Sequence, residues 1–282
     1  MMSEKIAERR STLSNDDNSN SVLRIFSYLP NPRVWKSLIT AGLCGVEIEL
    51  LGDKPSNLPH WLWDFDARPL SESDKADSPY ARQSRRGFSG ELYKTDQFLQ
   101  EHPFGTVPAG FSPSGLGIFE SNSILRAVAR AGSSNLNLYG KDDYHASRVD
   151  SFLDANLVFS REAQVYLLGM NELTLETYNR MQAAYEFYLS GIENCLQQGD
   201  GYLVGGELSI ADISYVCDFA QFLREGHNVE SLHNQGLDLI SKNGPEEYPL
   251  AYEHMLELSS TEAFSSVMGT YLNWYRKKLG LD

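Results

Sequence analysis

The sequence predicts an α/β domain followed by an all-helical one, and three observations predict it. The first is a β-α-β opening. Leu23 to Ser27 reads as a strand, Val34 to Gly42 has helical spacing and ends in glycine, and Gly45 to Leu51 alternates like a second strand. The second is a change of character after Gly132. Strand-like stretches vanish, and helical periodicity runs through Tyr144 to Gly169, Thr174 to Leu196, Ile210 to Leu223, Tyr248 to Leu258 and Thr261 to Lys278. The third is Ser209-Ile-Ala-Asp212, the S-x-x-D spacing of a capping box. Ser209 and Asp212 are therefore expected to satisfy backbone N–H groups at a helix start, a structural role with no chemistry in it.

The elements follow in order. Residues 1–21 are polar and poor in apolar side chains and read as a disordered tail. Tyr28 to Arg33 is a turn whose two prolines suit a loop and a helix start. From Gly52 to Gly90 the chain carries Pro55, Pro59, Pro69 and Pro79, aromatics (Trp61, Trp63, Phe65) and a basic cluster (Arg82, Arg85, Arg86). It reads as a long surface insertion whose tryptophans pack on the domain, or as a lid or partner-binding flap. Tyr93 to Gln100 reads as helical. Thr106 to Ala109 reads as a short strand interrupted by Pro108, which sits best at an edge, bulge or special turn. Ser112 to Gly117 is a turn cluster, Ile118-Phe119 resumes the strand, and Glu120-Ser121-Asn122 opens a helix with Ile124, Leu125 and Val128 on one face. Ser133 to Gly140 reads as a linker.

Composition excludes several classes. A chain of 282 residues with 41% hydrophobic and 22% charged residues is that of a globular protein with a real core. Its 24 Lys+Arg against 38 Asp+Glu give a net charge of −14, which argues against nucleic-acid and anionic-membrane partners. No run of about 18 apolar residues suggests a membrane span, and the amino end lacks the apolar core of a secretory signal. Cys44, Cys195 and Cys217 lie far apart without a CxxC pair and read as small buried residues in a reducing compartment, with the cytoplasm as the expected location. The six histidines form no HxH or HExxH pair, so no metal site is expected.

Val107-Pro108, followed a dozen residues on by Glu120-Ser121 and then Ile124-Leu125-Arg126, resembles the glutathione-binding half of the cytosolic glutathione transferases. Gly201-Tyr-Leu-Val-Gly-Gly-Glu-Leu-Ser209-Ile-Ala-Asp212-Ile resembles that family's signature before its central buried helix. Phe26-Ser-Tyr28, Asn31, Arg33, Lys36-Ser-Leu-Ile39 and Val107-Pro-Ala109 are nearest in flavour to the transferase-like domain of the translation elongation factor gamma subunit. Similar bacterial and fungal transferases, some of them glutathione-dependent lyases that cleave aryl ethers, stand beside it. The resemblance implies a thioredoxin-like domain over residues 22–132, with the insertion at about 52–90, and a helical-bundle domain over residues 142–282. It also implies a cis Val107–Pro108 bond, glutathione as co-substrate, a hydrophobic electrophile as second substrate, and pairing as a homodimer or as a heterodimer with a related subunit. A non-catalytic assembly module of the same fold is the alternative.

Glutathione chemistry needs a thiolate near neutral pH from a thiol whose free pKa is about 8.5. A hydrogen bond to sulfur and a helix N-terminus can supply the shift. The family places that group in the loop after the first strand, where this chain offers Asn31, Tyr28 and Ser27, in that order of preference. By the same resemblance Val107 and Pro108 hold the cysteinyl part, Glu120 pairs with the γ-glutamyl ammonium, and Ser121 donates to its carboxylate. Asn122 stands adjacent, and Arg33 either adds positive potential or pairs with a surface acid. Asn156, Phe159 and Tyr166, spaced along the first helix of the second half, are either walls for the apolar substrate or core.

Overall fold

The computed structural model describes residues 21–84, 87–132, 136–199 and 201–281. Residues 1–20 of the expected tail, Arg85 and Arg86 of the basic cluster, and Ser133 to Asn135 of the expected linker lie outside the described residues.

Strand β1 (Ser21–Tyr28) leads through a turn into helix α1 (Pro32–Cys44) and back along β2 (Glu47–Asp53), parallel to β1. Asn31 caps α1: its side-chain oxygen accepts the Arg33 N–H at 3.0 Å, and Pro32 fills the first position, where no N–H is needed. The helix runs past Gly42, where its glycine suggested an end, to Cys44, and Gly45 closes it in the left-handed conformation (φ 65°). Gly52 stands opposite Ser27, and a Cβ there would lie 1.7 Å from the Ser27 carbonyl oxygen. The end of β1 is held this tightly against β2 only because that residue is glycine.

The interval read as a long insertion folds into a second sheet. Strands β3 (Trp61–Trp63) and β4 (Arg68–Pro69), a short helix α2 (Glu72–Lys75), and strands β5 (Ala81–Gln83) and β6 (Glu91–Lys94) form a sheet of order β4-β3-β6-β5. Trp63 is 1% exposed and meets Phe26 of β1 edge-on at 5.5 Å and Phe98 at 5.9 Å. Burying so large a ring contributes roughly 2–3 kcal/mol, so this sheet is a second layer on the first. Tyr93 and Lys94, expected in a helix, belong to β6 instead. Helix α3 (Asp96–Glu101) begins only after Thr95, whose hydroxyl accepts the Phe98 N–H at 3.0 Å.

The main sheet is completed by β7 (Ala109–Phe111) and β8 (Gly117–Phe119) in the order β2-β1-β7-β8. The strand expected from Thr106 starts only after Pro108, whose ring nitrogen cannot donate to the ladder. The Val107–Pro108 bond is cis, and so is Leu29–Pro30, which sequence reading did not single out. Helix α4 (Ser121–Ala131) then buries Ile124, Leu125 and Val128.

Next come α5 (Asp143–Leu168), α6 (Leu175–Gln197), α7 (Ile210–Phe222), α8 (Val229–Asn234), α9 (Gly244–Glu247), α10 (Pro249–Ser260), α11 (Glu262–Met268) and α12 (Asn273–Lys278). The single helix expected over Thr261 to Lys278 is broken at Gly269, where φ is 54°. Helix α7 is buried from Ile210 to Ala220 and is the axis of the helical half. Trp35 and Ile39 of α1 and Leu125 of α4 pack into the same core, which joins the two halves. Among the described residues no helix is long and apolar enough to cross a membrane.

His102 closes α3, stacked on Phe98 at 5.1 Å and edge-on to Phe111 at 4.6 Å. Burial holds its pKa below the ordinary histidine value. The unfolded chain therefore takes up a proton that the folded one refuses as pH falls through about 6.5. Stability is complete above that value and declines below it. The urea midpoint should drop between about pH 7.5 and about pH 5, and drop less in His102→Gln; equal pH slopes would clear His102 of the effect.

Candidate functional site

Four backbone ends meet at one corner of the main sheet. β1 pairs with β7 through Phe26 and Ala109, and β7 pairs with β8 through Ala109 and Phe119. Tyr28 and Val107, just beyond those pairs, pack against the same cluster as Phe26, Ala109 and Phe111, and Glu120 follows Phe119 at the end of β8. The starts of α1 and α4 open on the same corner, each adding N–H groups and a partial positive charge. From the second sheet, Lys94 donates to the Gly105 carbonyl at 2.7 Å and braces the loop that carries Val107-Pro108.

Glu120 is exposed, and its φ of 66° is left-handed for a residue with a side chain. Such a conformation costs on the order of 1–3 kcal/mol and persists where neighbours impose it, often at functional sites. Its carboxylate makes no capping bond to α4, so it does not close the helix start against a ligand. Ser121 and Asn122 sit just inside, 8% and 5% exposed.

Behind them lies a polar cluster that sequence reading missed. Lys36 of α1, 1% exposed, reaches Asp218 Oδ2 at 2.6 Å, Asn122 Oδ1 at 2.9 Å and Ser121 Oγ at 3.4 Å. Burial lowers the Lys36 pKa from the ordinary lysine value while Asp218 pulls it back up. The Ser214 hydroxyl, with one O–H to give, lies 2.9 Å from Asn156 Oδ1 and 3.1 Å from Asn122 Oδ1, and Asn122 donates to the Leu153 carbonyl at 2.8 Å. One signal could have found this cluster: Asp218 is a carboxylate set between Tyr215-Val-Cys217 and Phe219-Ala220, a setting in which charge is rare unless paired.

The three candidates expected in the loop after β1 are divided: Ser27 and Tyr28 close the strand, and only Asn31 lies beyond it. Ser27 is 0% exposed and accepts from Asn31 Nδ2 at 3.0 Å; Asn31, itself 1% exposed, has its oxygen on the Arg33 N–H. Asn31 is committed to the cap of α1, whereas Ser27 only accepts and keeps its own O–H; what separates both from Tyr28 is their near-complete burial. Tyr28 is only part-buried. Burial raises its pKa, Arg33 and Arg224 lower it, and Asp218 raises it. The phenol is thus a neutral O–H donor at physiological pH, with two guanidinium groups nearby. Arg33 also donates to the Ser160 carbonyl at 3.1 Å.

Three candidates do not stand where a substrate wall would. Phe159, 1% exposed, stacks on Tyr188 at 4.7 Å; Tyr166, 0% exposed, donates to Glu225; Asn156, 1% exposed, donates to the Tyr188 hydroxyl at 3.1 Å. Their helical spacing is that of a core face. Asn122 likewise turns its amide inward. Ser209 and Asp212 form the expected capping box at the start of α7, and Asp212 also accepts the Leu203 N–H at 3.0 Å and lies 2.9 Å from His254 Nε2. An open cleft of ≈ 720 Å³ lies beside the β1 loop instead, lined by Leu29, Pro30, Val34, Trp35, Leu38, Leu50 and Val267, with Asn31, Asp53 and Lys54 adding polar edges.

No family model matches the chain. In sequence it is similar to the glutathione S-transferase-like protein LUC7 of a Fusarium species, 27% identical over 195 residues that span 68% of this chain and 73% of that protein. It is 30% identical over 197 residues to elongation factor 1-gamma-A of Xenopus laevis; that match spans 68% of this chain and 37% of the relative. Among solved structures, the glutathione transferase URE2P8 from Phanerochaete chrysosporium, solved with oxidized glutathione, superposes with a TM-score of 0.61. The match covers 94% of this chain and 99% of that one at 15% identity.

Proposed function

We propose that this chain, which has the glutathione transferase fold, binds glutathione at the corner where β1, Val107-Pro108 and the start of α4 meet, and presents its thiolate to an apolar electrophile. Glu120 faces the γ-glutamyl ammonium, while Ser121 and the first N–H groups of α4 face its carboxylate. The Val107 backbone meets the cysteinyl part. Tyr28, rather than Asn31 or Ser27, donates its O–H to sulfur, and Arg33 and Arg224 add positive potential. The thiol proton leaves to solvent, the sulfur lone pair forms the new C–S bond, and a leaving group departs or the electrophile takes up a proton. The apolar cleft beside Leu29 and Trp35 is the place for that electrophile. The observation that carries this reading is the exposed carboxylate of Glu120, held in a left-handed conformation at the mouth of a helix.

Two results are expected. Retention on immobilised glutathione should be lost in Glu120→Ala, with the dissociation constant about 10–100-fold weaker, the size of one charge-assisted contact. Tyr28→Phe should raise the pKa of the bound thiol by about 1–2 units, read by ultraviolet titration of the thiolate, because a hydrogen bond to a charged acceptor is worth about 1.5–3 kcal/mol. An unchanged thiol pKa would sink the assignment of Tyr28. The similarity to elongation factor 1-gamma-A favours a second reading, an assembly module of this fold without catalysis. A wild-type chain that glutathione does not retain would select it.

A further inference from the structure

The proposed glutathione site leaves Lys36 and Asp218 without a role, yet they are the innermost charges beneath it. We infer that Lys36, anchored by Asp218, is a positioning residue for the γ-glutamyl carboxylate. This rests on the glutathione reading above.

The chemistry follows from the donors and acceptors. An ammonium has three N–H groups and no acceptor. Those of Lys36 are directed at Asp218 Oδ2, Asn122 Oδ1 and Ser121 Oγ. Because Lys36 can only donate, the Ser121 hydroxyl accepts from it and keeps its own single O–H to give outward. A carboxylate arriving at the start of α4 thus meets an O–H already turned toward it. It also meets a buried positive charge one hydrogen bond behind. Asn122 is fixed in the same way: its oxygen accepts from Lys36, with the Ser214 hydroxyl 3.1 Å away, and its nitrogen donates to the Leu153 carbonyl, so the first turn of α4 is pinned to α1 and α5 beside α7. Asp218 sets where the ammonium sits, 182 residues along the chain from it. Through Lys36 a residue of the helical half therefore governs the grip on glutathione in the first half. Thiol activation lies apart from this, at Tyr28.

The test is calorimetric binding of glutathione to the full chain, with the bound-thiol pKa measured in parallel. Lys36→Met with Asp218→Leu removes both charges together. It should weaken glutathione about tenfold, the equivalent of one hydrogen bond to a charged group, with the bound-thiol pKa unmoved. Cysteinylglycine, which lacks the γ-glutamyl end, should bind the variant and the wild type equally. Should that variant not fold, Lys36→Gln with Asp218→Asn keeps hydrogen-bonding groups without charge and should show the same selective loss. If wild type binds glutathione and either folded variant matches it, or if both peptides weaken alike, the positioning role is wrong while the glutathione reading stands. A wild type that does not bind glutathione overturns both.

Discussion

Replacing Lys36 alone by methionine should lower stability by about 3–5 kcal/mol. Methionine fills nearly the same volume, so little packing is lost. What remains is the Asp218 carboxylate, 0% exposed, with its counter-ion gone. Its second oxygen already has no hydrogen-bond partner within the described residues, so no neighbour stands ready to compensate. Urea denaturation would measure the loss, and adding Asp218→Leu should recover most of it, since an apolar pair of similar volume can replace a buried ion pair at little cost. A single-variant loss below about 1 kcal/mol would mean that solvent reaches the pair and that the buried charges are not as isolated as their positions indicate.

Asp212→Ala should cost roughly 3 kcal/mol. One carboxylate there accepts the backbone N–H groups of Ser209 at 2.9 Å and Leu203 at 3.0 Å as well as the Ser209 hydroxyl at 2.7 Å, all buried. Alanine strands these donors at the start of the helix on which the other helices pack. The melting temperature should fall by several degrees, with the thiol pKa of bound glutathione unchanged. A variant within about 0.5 kcal/mol of wild type would show that water reaches the vacated donors.

Local signals were legible and distant ones were not. The cap at Ser209 and Asp212, the β-α-β opening and the helix that follows Glu120 each depend on residues a few positions apart. Asn31-Pro32 is also a helix-start signal, yet the family resemblance drew attention to Asn31 as a thiol contact; the cap is what the structure displays. The second sheet was missed for the opposite reason. Its strands are two to four residues long, and β3 pairs in parallel with β6 across nearly thirty intervening positions, a pairing that leaves no periodicity to read. Asn156, Phe159 and Tyr166 show the limit of helical spacing: it says which residues share a face, not whether that face meets a substrate or a neighbouring helix. Lys36 was quoted for its family pattern alone, because its partner lies in another helix.

The outer sheet also constrains how this chain can change. Trp63 leans on Phe26, two residues before Tyr28, while Lys94 holds Gly105, two residues before Val107. Shortening the interval between β2 and α3 to a plain connection would therefore remove the supports of Phe26 and Gly105 at once. The added layer braces the end of β1 and the loop before Pro108, and a truncated chain would loosen that corner before it lost its helices.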